Sequence, residues 1–295
     1  MKKNRGYWVR LGCTFAVGVI AAMTIYVASL GYMKLNNTLR PARKVASGTL
    51  LAKWKIKYQS VDLLTEDGIR LSAWYTPPTN GAVILLAHPY GEHRPEWVYE
   101  LLARKGFGIL AWDARAHGTS GGEFTTLGYT EILDVKAALK YALAQPGVEH
   151  IGGWGGSMGG ATMVHAAAQL PQIEAIFVDS AFASLKDEFD YLVPSHPLIG
   201  PFVRVLMRLE TGVNVDDVDL IKDIASISPR PVFIAQGTAD TTVPPDSAER
   251  LFNAAGKPHF LWTEPNIPHM GLFLANSRRY QRRMVDFFNK SLLNK

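Results

Sequence analysis

The chain has 295 residues, 47% of them hydrophobic, enough to bury the core of one large α/β domain or two small ones. Eleven of its 31 basic residues and none of its 26 acidic ones lie in residues 1–60, so the rest of the chain carries twenty basic against 26 acidic side chains. The pI near 9.2 therefore belongs to the N-terminal segment and is no signature of nucleic-acid binding, and a single cysteine, Cys13, excludes any intrachain disulfide.

A short basic segment, residues 1–10, leads into the uncharged stretch Leu11 to Met33, bounded by Arg10 and Lys34. As a helix at about 1.5 Å per residue it reaches roughly 34 Å, enough to cross a hydrocarbon core of about 30 Å. The run is longer than the usual apolar region of a cleaved signal peptide, which favours an uncleaved transmembrane signal anchor; Ser29 to Gly31 offers the small residues of the cleavage alternative. Four basic residues flank each side, so the positive-inside rule does not decide orientation. The expected arrangement is a single-pass protein with its large domain outside the cytoplasm, or a secreted one if the segment is cleaved. Cys13 reads as a small apolar residue within the span.

Residues 34–53 form a polar connector, expected as a linker, and a folded domain is expected over 54–295. It opens with two strand-like runs around Glu66-Asp67-Gly68, which predicts a β-hairpin. Short apolar runs follow at 82–88, 108–113, 150–155, 174–180, 231–237 and 259–264, separated by amphipathic stretches such as 130–144 and 161–170. Continuous apolar strands alternating with helices predict a mostly parallel central sheet with helices on both faces. In such sheets the ligand site lies beyond the carboxyl ends of the strands.

At one such end stands Gly155-Gly156-Ser157-Met158-Gly159, a G-x-S-x-G pattern between a strand and a helix. The glycines leave room for a serine held at strained backbone geometry on a sharp turn; a structural glycine turn is the bland alternative. A serine hydroxyl needs a base, and the base an orienting acid. If the partners follow in the order acid, then histidine, Asp240 comes after the strand at 231–237 and His269 after the last strand. Asp179, ending the preceding strand, is the main rival to Asp240. Asp246 reads as a helix-start residue, His88 and His117 as hydrogen-bonding loop residues, and His165 as packing. The oxyanion hole requires two backbone N–H groups; Met158, next to the serine, supplies one, and Tyr90 supplies the other, because Pro89 has none.

These residues resemble the α/β-hydrolase superfamily, and within it the serine aminopeptidase-like, membrane-anchored esterase group. The resemblance covers about residues 54–295 and rests on "LLAHPYGEHR", the D-x-R-x-H-G-x-S-x-G loop from Asp113 to Gly122, "GGSMGG", "GTADTTVP" and "IPHMG". It implies an α/β-hydrolase fold and a serine hydrolase triad. One departure stands out: His88-Pro89 occupies the place of the usual His-Gly. By analogy with enzymes similar to prolyl oligopeptidase, it raises the idea that the Tyr90 phenol donates to the oxyanion.

Residues 181–229 exceed what one crossover helix requires and carry Phe182, Phe189, Tyr191, Leu192, Leu198, Phe202, Leu206 and Met207. They form either a small helical cap over the serine or part of the helical layer buried on the sheet. A cap beside a membrane anchor would favour a small-molecule ester or lipid-like substrate. The expected reaction is cleavage of carboxylic esters through an acyl-enzyme, with no cofactor and no metal. A peptidase or amidase, an acyltransferase, and a silent hydrolase fold acting as a membrane-tethered binding protein are the alternatives. A dinucleotide-binding site is excluded by the lack of G-x-G-x-x-G at residues 152–160, and a P-loop by Pro258 after Gly256-Lys257.

Overall fold

The computed structural model describes residues 4–192 and 199–294. Its centre is an eight-stranded sheet. The hairpin strands β1 (Gln59–Leu64) and β2 (Arg70–Thr76) are followed by β3 (Ala82–Ala87), β4 (Gly108–Trp112), β5 (His150–Gly156), β6 (Ala175–Asp179), β7 (Val232–Gly237) and β8 (His259–Glu264). The order across the sheet is β1-β2-β4-β3-β5-β6-β7-β8. Only the pairs β1/β2 and β2/β4 are antiparallel; from β4 through β8 every pairing is parallel. The hairpin and all six predicted strands are present.

The central strands alternate their side chains between two apolar cores, as a two-residue period demands. Val83 and Leu85 of β3, Ile176 and Val178 of β6, and Val232 and Ile234 of β7 enter one core. Ile84, Leu86, Ala175, Phe177, Phe233 and Ala235 enter the other. The first core is closed by α4 (Ile132–Leu143), α5 (Met158–Gln169), α8 (Leu220–Ile227) and α9 (Ser247–Ala254), the second by α3 (Glu96–Ala103) and α11 (Ser277–Leu292). Both faces are covered, which explains why the central strands read as unbroken apolar runs.

At the N-terminus, α1 runs unbroken over Asn4–Leu39. Its apolar window has a mean hydropathy of 2.0 and none of it is buried, so by length and composition it can cross a membrane. Residues 34–53 differ from the expected linker. The helix continues past Lys34 because Leu35 and Leu39, one turn apart, are both buried in the first core, a gain of about 1.5–3 kcal/mol for each side chain. The Leu39 carbonyl, which helix geometry leaves without a partner, accepts the Thr125 N–H at 2.8 Å. Beyond it, the Arg43 guanidinium donates to the Ser120 carbonyl and, at 2.8 Å, to that of Gly122. A short helix, α2 (Thr49–Lys53), then buries Leu51 in the second core. The connector is thus part of the folded body.

In the segment 181–229, α6 (Leu185–Leu192) and α7 (Ile199–Thr211) precede α8. Phe182, Phe189, Val203 and Met207 are buried in the first core, while α7 lies against α1. Leu198 falls outside the described residues.

Candidate active site

Ser157 is the hinge between β5 and α5, with φ 50° and ψ −119°. That conformation is rare for a residue with a side chain, and two glycines make the turn around it possible. A Cβ on Gly155 would lie 2.2 Å from the Gly159 carbonyl oxygen, and one on Gly159 would lie 2.1 Å from that of Ala87. Neither position admits any other residue without moving the backbone. The Ser157 N–H donates to the Asp179 carbonyl at 2.8 Å, tying the turn to β6.

The loop after β8 brings His269 to this serine. His269 Nε2 lies 3.0 Å from Ser157 Oγ, and His269 Nδ1 lies 2.8 Å from Asp240 Oδ2. The geometry assigns the proton: Nδ1–H donates to the carboxylate, which leaves Nε2 to accept the serine hydroxyl. Asp240 is 3% exposed and its Oδ1 accepts the N–H groups of Thr242 and Val243, each at 2.9 Å. Burial pushes this carboxyl up, but the His269 hydrogen bond and the two N–H groups outweigh it and hold the group below the usual carboxylate range. Gln236 adds a donor to Oδ2 at 3.3 Å.

Asp179, the rival, is fully buried and engaged elsewhere. It accepts the Tyr280 phenol at 2.8 Å and the Ser180 hydroxyl at 2.9 Å. Burial raises its carboxyl to about 6 despite those two donors. Ser180 Oγ in turn accepts the Met270 N–H at 3.2 Å, steadying the residue after His269. Asp246 stands immediately before α9, and His165 pairs with Asp223 at 2.7 Å.

Met158 is the first residue of α5, so its N–H has no partner within the helix. Across from it, two neutral histidines shape the 88–92 loop. His88 Nε2 accepts the Ala114 N–H at 2.9 Å while Nδ1–H donates to the Pro89 carbonyl at 2.7 Å. His117 Nε2 accepts the Gly91 N–H at 3.1 Å. Desolvation lowers both imidazoles, His88 to about 3, which keeps the accepting nitrogens unprotonated. The N–H groups of Gly91 and Glu92 are bonded to His117 and the Pro89 carbonyl, and Tyr90 just before them lines the cavity at Ser157. Its phenol donates instead to the Asn37 carbonyl of α1 at 3.2 Å. The phenol raised as an oxyanion donor is thus engaged by α1 in this structure.

The Asp113–Gly122 loop is a buttress. Asp113 accepts from the Arg94 guanidinium, the Arg94 N–H and the Thr119 N–H, each at 3.1 Å. Arg115 bridges Asp67 and Asp134. Gln236, Ser180 and Tyr280 were not singled out in the sequence. A glutamine in an otherwise apolar, fully buried strand was the available signal for the first; for the other two there was none, because their partners are remote in the chain.

Over Ser157 and His269 opens a cavity of about 670 Å³. Its apolar wall includes Leu50, Pro95, Trp97, Met270, Phe273 and Leu274, with Trp97 stacked on Phe273 at 4.1 Å. Two carboxylates line it, and both are engaged: Glu92 pairs with Lys44, and Glu96 accepts the N–H groups of Gly48 and Leu50 at 2.9 and 3.1 Å. Among the described residues, none of 181–229 lines the cavity. That segment instead stands behind Asp240, whose carbonyl the Tyr191 hydroxyl reaches at 3.5 Å.

Comparison with known proteins agrees with this architecture. Residues 67–214 match the family model described as X-Pro dipeptidyl-peptidase (S15 family). Rv2307c of Mycobacterium tuberculosis is 30% identical over 221 residues, covering 72% of this chain and 73% of that protein. The α/β-hydrolase domain-containing protein WAV2 of Arabidopsis thaliana is 27% identical over 252 residues, covering 81% of each. Among solved structures, the Pyrococcus furiosus esterase Pf2001 superposes with a TM-score of 0.71 at 26% identity, covering 86% of this chain and 98% of the esterase. The chain belongs to the α/β-hydrolase superfamily, in the family described by the X-Pro dipeptidyl-peptidase (S15) model.

Proposed function

We propose that this protein is a membrane-anchored serine hydrolase that cleaves carboxylic esters, with Ser157 as nucleophile, His269 as base and Asp240 as the acid that orients it. The observation that carries the reading is the unbroken relay from Ser157 Oγ through His269 to Asp240, at 3.0 and 2.8 Å. His269 Nε2 takes the hydroxyl proton as Oγ attacks the ester carbonyl, and the ionised Asp240 stabilises the resulting imidazolium. The N–H groups of Met158 and Tyr90 stabilise the oxyanion. His269 returns the proton to the departing alcohol, and water, deprotonated by the same imidazole, releases the acid and regenerates the serine.

Support for an ester over a peptide N-terminus comes from the cavity's carboxylates. A free ammonium group needs an unpaired acidic partner, and Glu92 and Glu96 are each already paired or hydrogen-bonded. The likeness to the Pyrococcus furiosus esterase points the same way. The family model favours a second reading, a peptidase on the same triad. Anchoring by α1 is supported by its apolar length and by Gly31, which packs on Phe202 and Val203, so that cleavage near Ser29 to Gly31 would cut through a helix contact.

The test is fluorophosphonate labelling of the detergent-solubilised full chain. Labelling is expected in the wild type, absent in Ser157→Ala and strongly reduced in His269→Ala. Turnover of p-nitrophenyl butyrate should exceed that of Ala-Pro-p-nitroanilide. A well-folded wild type that takes up no label refutes the serine mechanism, and faster turnover of the anilide selects the peptidase reading.

A further inference from the structure

The depth of the cavity relative to a bilayer can be read from α1, because that helix enters the domain without a flexible joint. Leu35 and Leu39 are buried in the core, and the chain just beyond is clamped by Arg43 to the carbonyls of Ser120 and Gly122. Met33 ends the exposed apolar run. Asn37, whose carbonyl accepts the Tyr90 phenol, follows four residues later, roughly 6 Å further along the axis. The headgroup region adds about 5–8 Å to each side of the hydrocarbon core. Tyr90, which lines the cavity over Ser157, therefore stands at headgroup depth when α1 spans.

A second element lies at the same level. α7 packs on α1 at Gly31, where a Cβ would meet Phe202 at 3.2 Å and Val203 at 3.4 Å. Its inner residues Val203 and Met207 are buried, while Val205, two residues past the Gly31 contact, is 56% exposed; from there α7 runs toward the domain, where Glu210 pairs with Arg40. Leu274, at the cavity, is 86% exposed. An apolar face beside a span, at the depth where the span leaves the hydrocarbon, meets lipid.

We propose that the Ser157 cavity opens onto the bilayer surface and takes a carboxylic ester of a membrane lipid, with Val205 immersed beside α1. The acyl ester bonds of glycerolipids lie at the boundary between chains and headgroups, roughly 6 Å beneath the depth assigned to Tyr90, so a lipid rises by that distance to bring its ester into the cavity. Ser157 Oγ bonds to the acyl carbon, the ester C–O bond breaks, the lipid alcohol leaves with the proton from His269, and water releases the fatty acid. This substrate assignment rests on the serine hydrolase reading.

Two measurements on the full chain test it separately from that reading. A spin label on Val205→Cys in a Cys13→Ser background, reconstituted in phosphatidylcholine nanodiscs, should be more accessible to oxygen than to a water-soluble nickel chelate. Val205→Glu should lower hydrolysis of a fluorogenic phospholipid ester in the same bilayer at least fivefold, with p-nitrophenyl butyrate turnover within twofold of wild type. A label that meets the nickel chelate more readily, or equal losses on both esters, overturns the proposal. A label at the expected depth in a protein that takes up no fluorophosphonate places the failure in the hydrolase reading, and the substrate assignment falls with it.

Discussion

Replacing Ser157 by glycine should leave a more stable protein than replacing it by alanine, although both variants are inactive. At φ 50° and ψ −119° the serine lies outside the favoured regions for a residue with a Cβ, a conformation that costs about 1–3 kcal/mol. Both replacements lose the Oγ contact to His269, so that contribution cancels between them. Glycine releases the strain, but gives back about 0.4–1 kcal/mol through its freer unfolded state and up to about 0.8 kcal/mol for the lost buried methyl. With strain near 2 kcal/mol the balance favours glycine by about 0.2–1.6 kcal/mol, or up to roughly 6 °C in Tm for a domain of this size. The assay is thermal unfolding of the full chain, followed by near-ultraviolet circular dichroism in one detergent, for Ser157→Gly and Ser157→Ala in parallel. An alanine variant as stable as the glycine variant, or more so, would falsify the claim that the turn stores strain at the nucleophile.

Asp240→Asn should leave the fold intact and lower ester turnover by about 10³–10⁴-fold, since an amide stabilises neither the imidazolium nor the required tautomer; a loss under tenfold by stopped-assay kinetics speaks against its role. Glu188 is 6% exposed, has an oxygen without a partner, and is pushed up to about 8 by burial and by the nearby charge of Asp240. A carboxyl raised in the folded state stabilises fully below its unfolded value near 4.5, and that contribution is lost as the pH rises toward 8. The Tm of Glu188→Gln should therefore gain on wild type by several degrees between about pH 5 and pH 8, and parallel Tm profiles contradict the assignment. Tyr90→Phe should keep soluble-ester turnover within about threefold of wild type, because the phenol is bonded to Asn37. A larger drop in kcat would return the phenol to the chemistry.

Much of the architecture was legible because it is written in short-range patterns. The parallel core appears as apolar runs such as that of β3, buried at every residue, since both faces of the sheet are covered. The turn at Ser157 is announced by Gly155 and Gly159, whose places a Cβ cannot occupy. The connector was misread because Leu35, Leu39 and Leu51 are too sparse among polar residues to mark burial, and their contacts lie far along the chain.

By itself the sequence determined the strands and the glycine-flanked turn at Ser157, because periodicity and backbone permissiveness act over a few residues. It left two acids open, Asp179 and Asp240, since parallel neighbours end at the same edge of the sheet. Only tertiary packing shows which of them meets His269: Tyr280, a hundred residues further on, occupies Asp179, while the loop carrying His269 brings its Nδ1 to Asp240. The same is true of the cavity wall, the dock of α7 on α1 and the Tyr90 contact to Asn37, each made by groups whose separation in the chain leaves no local trace.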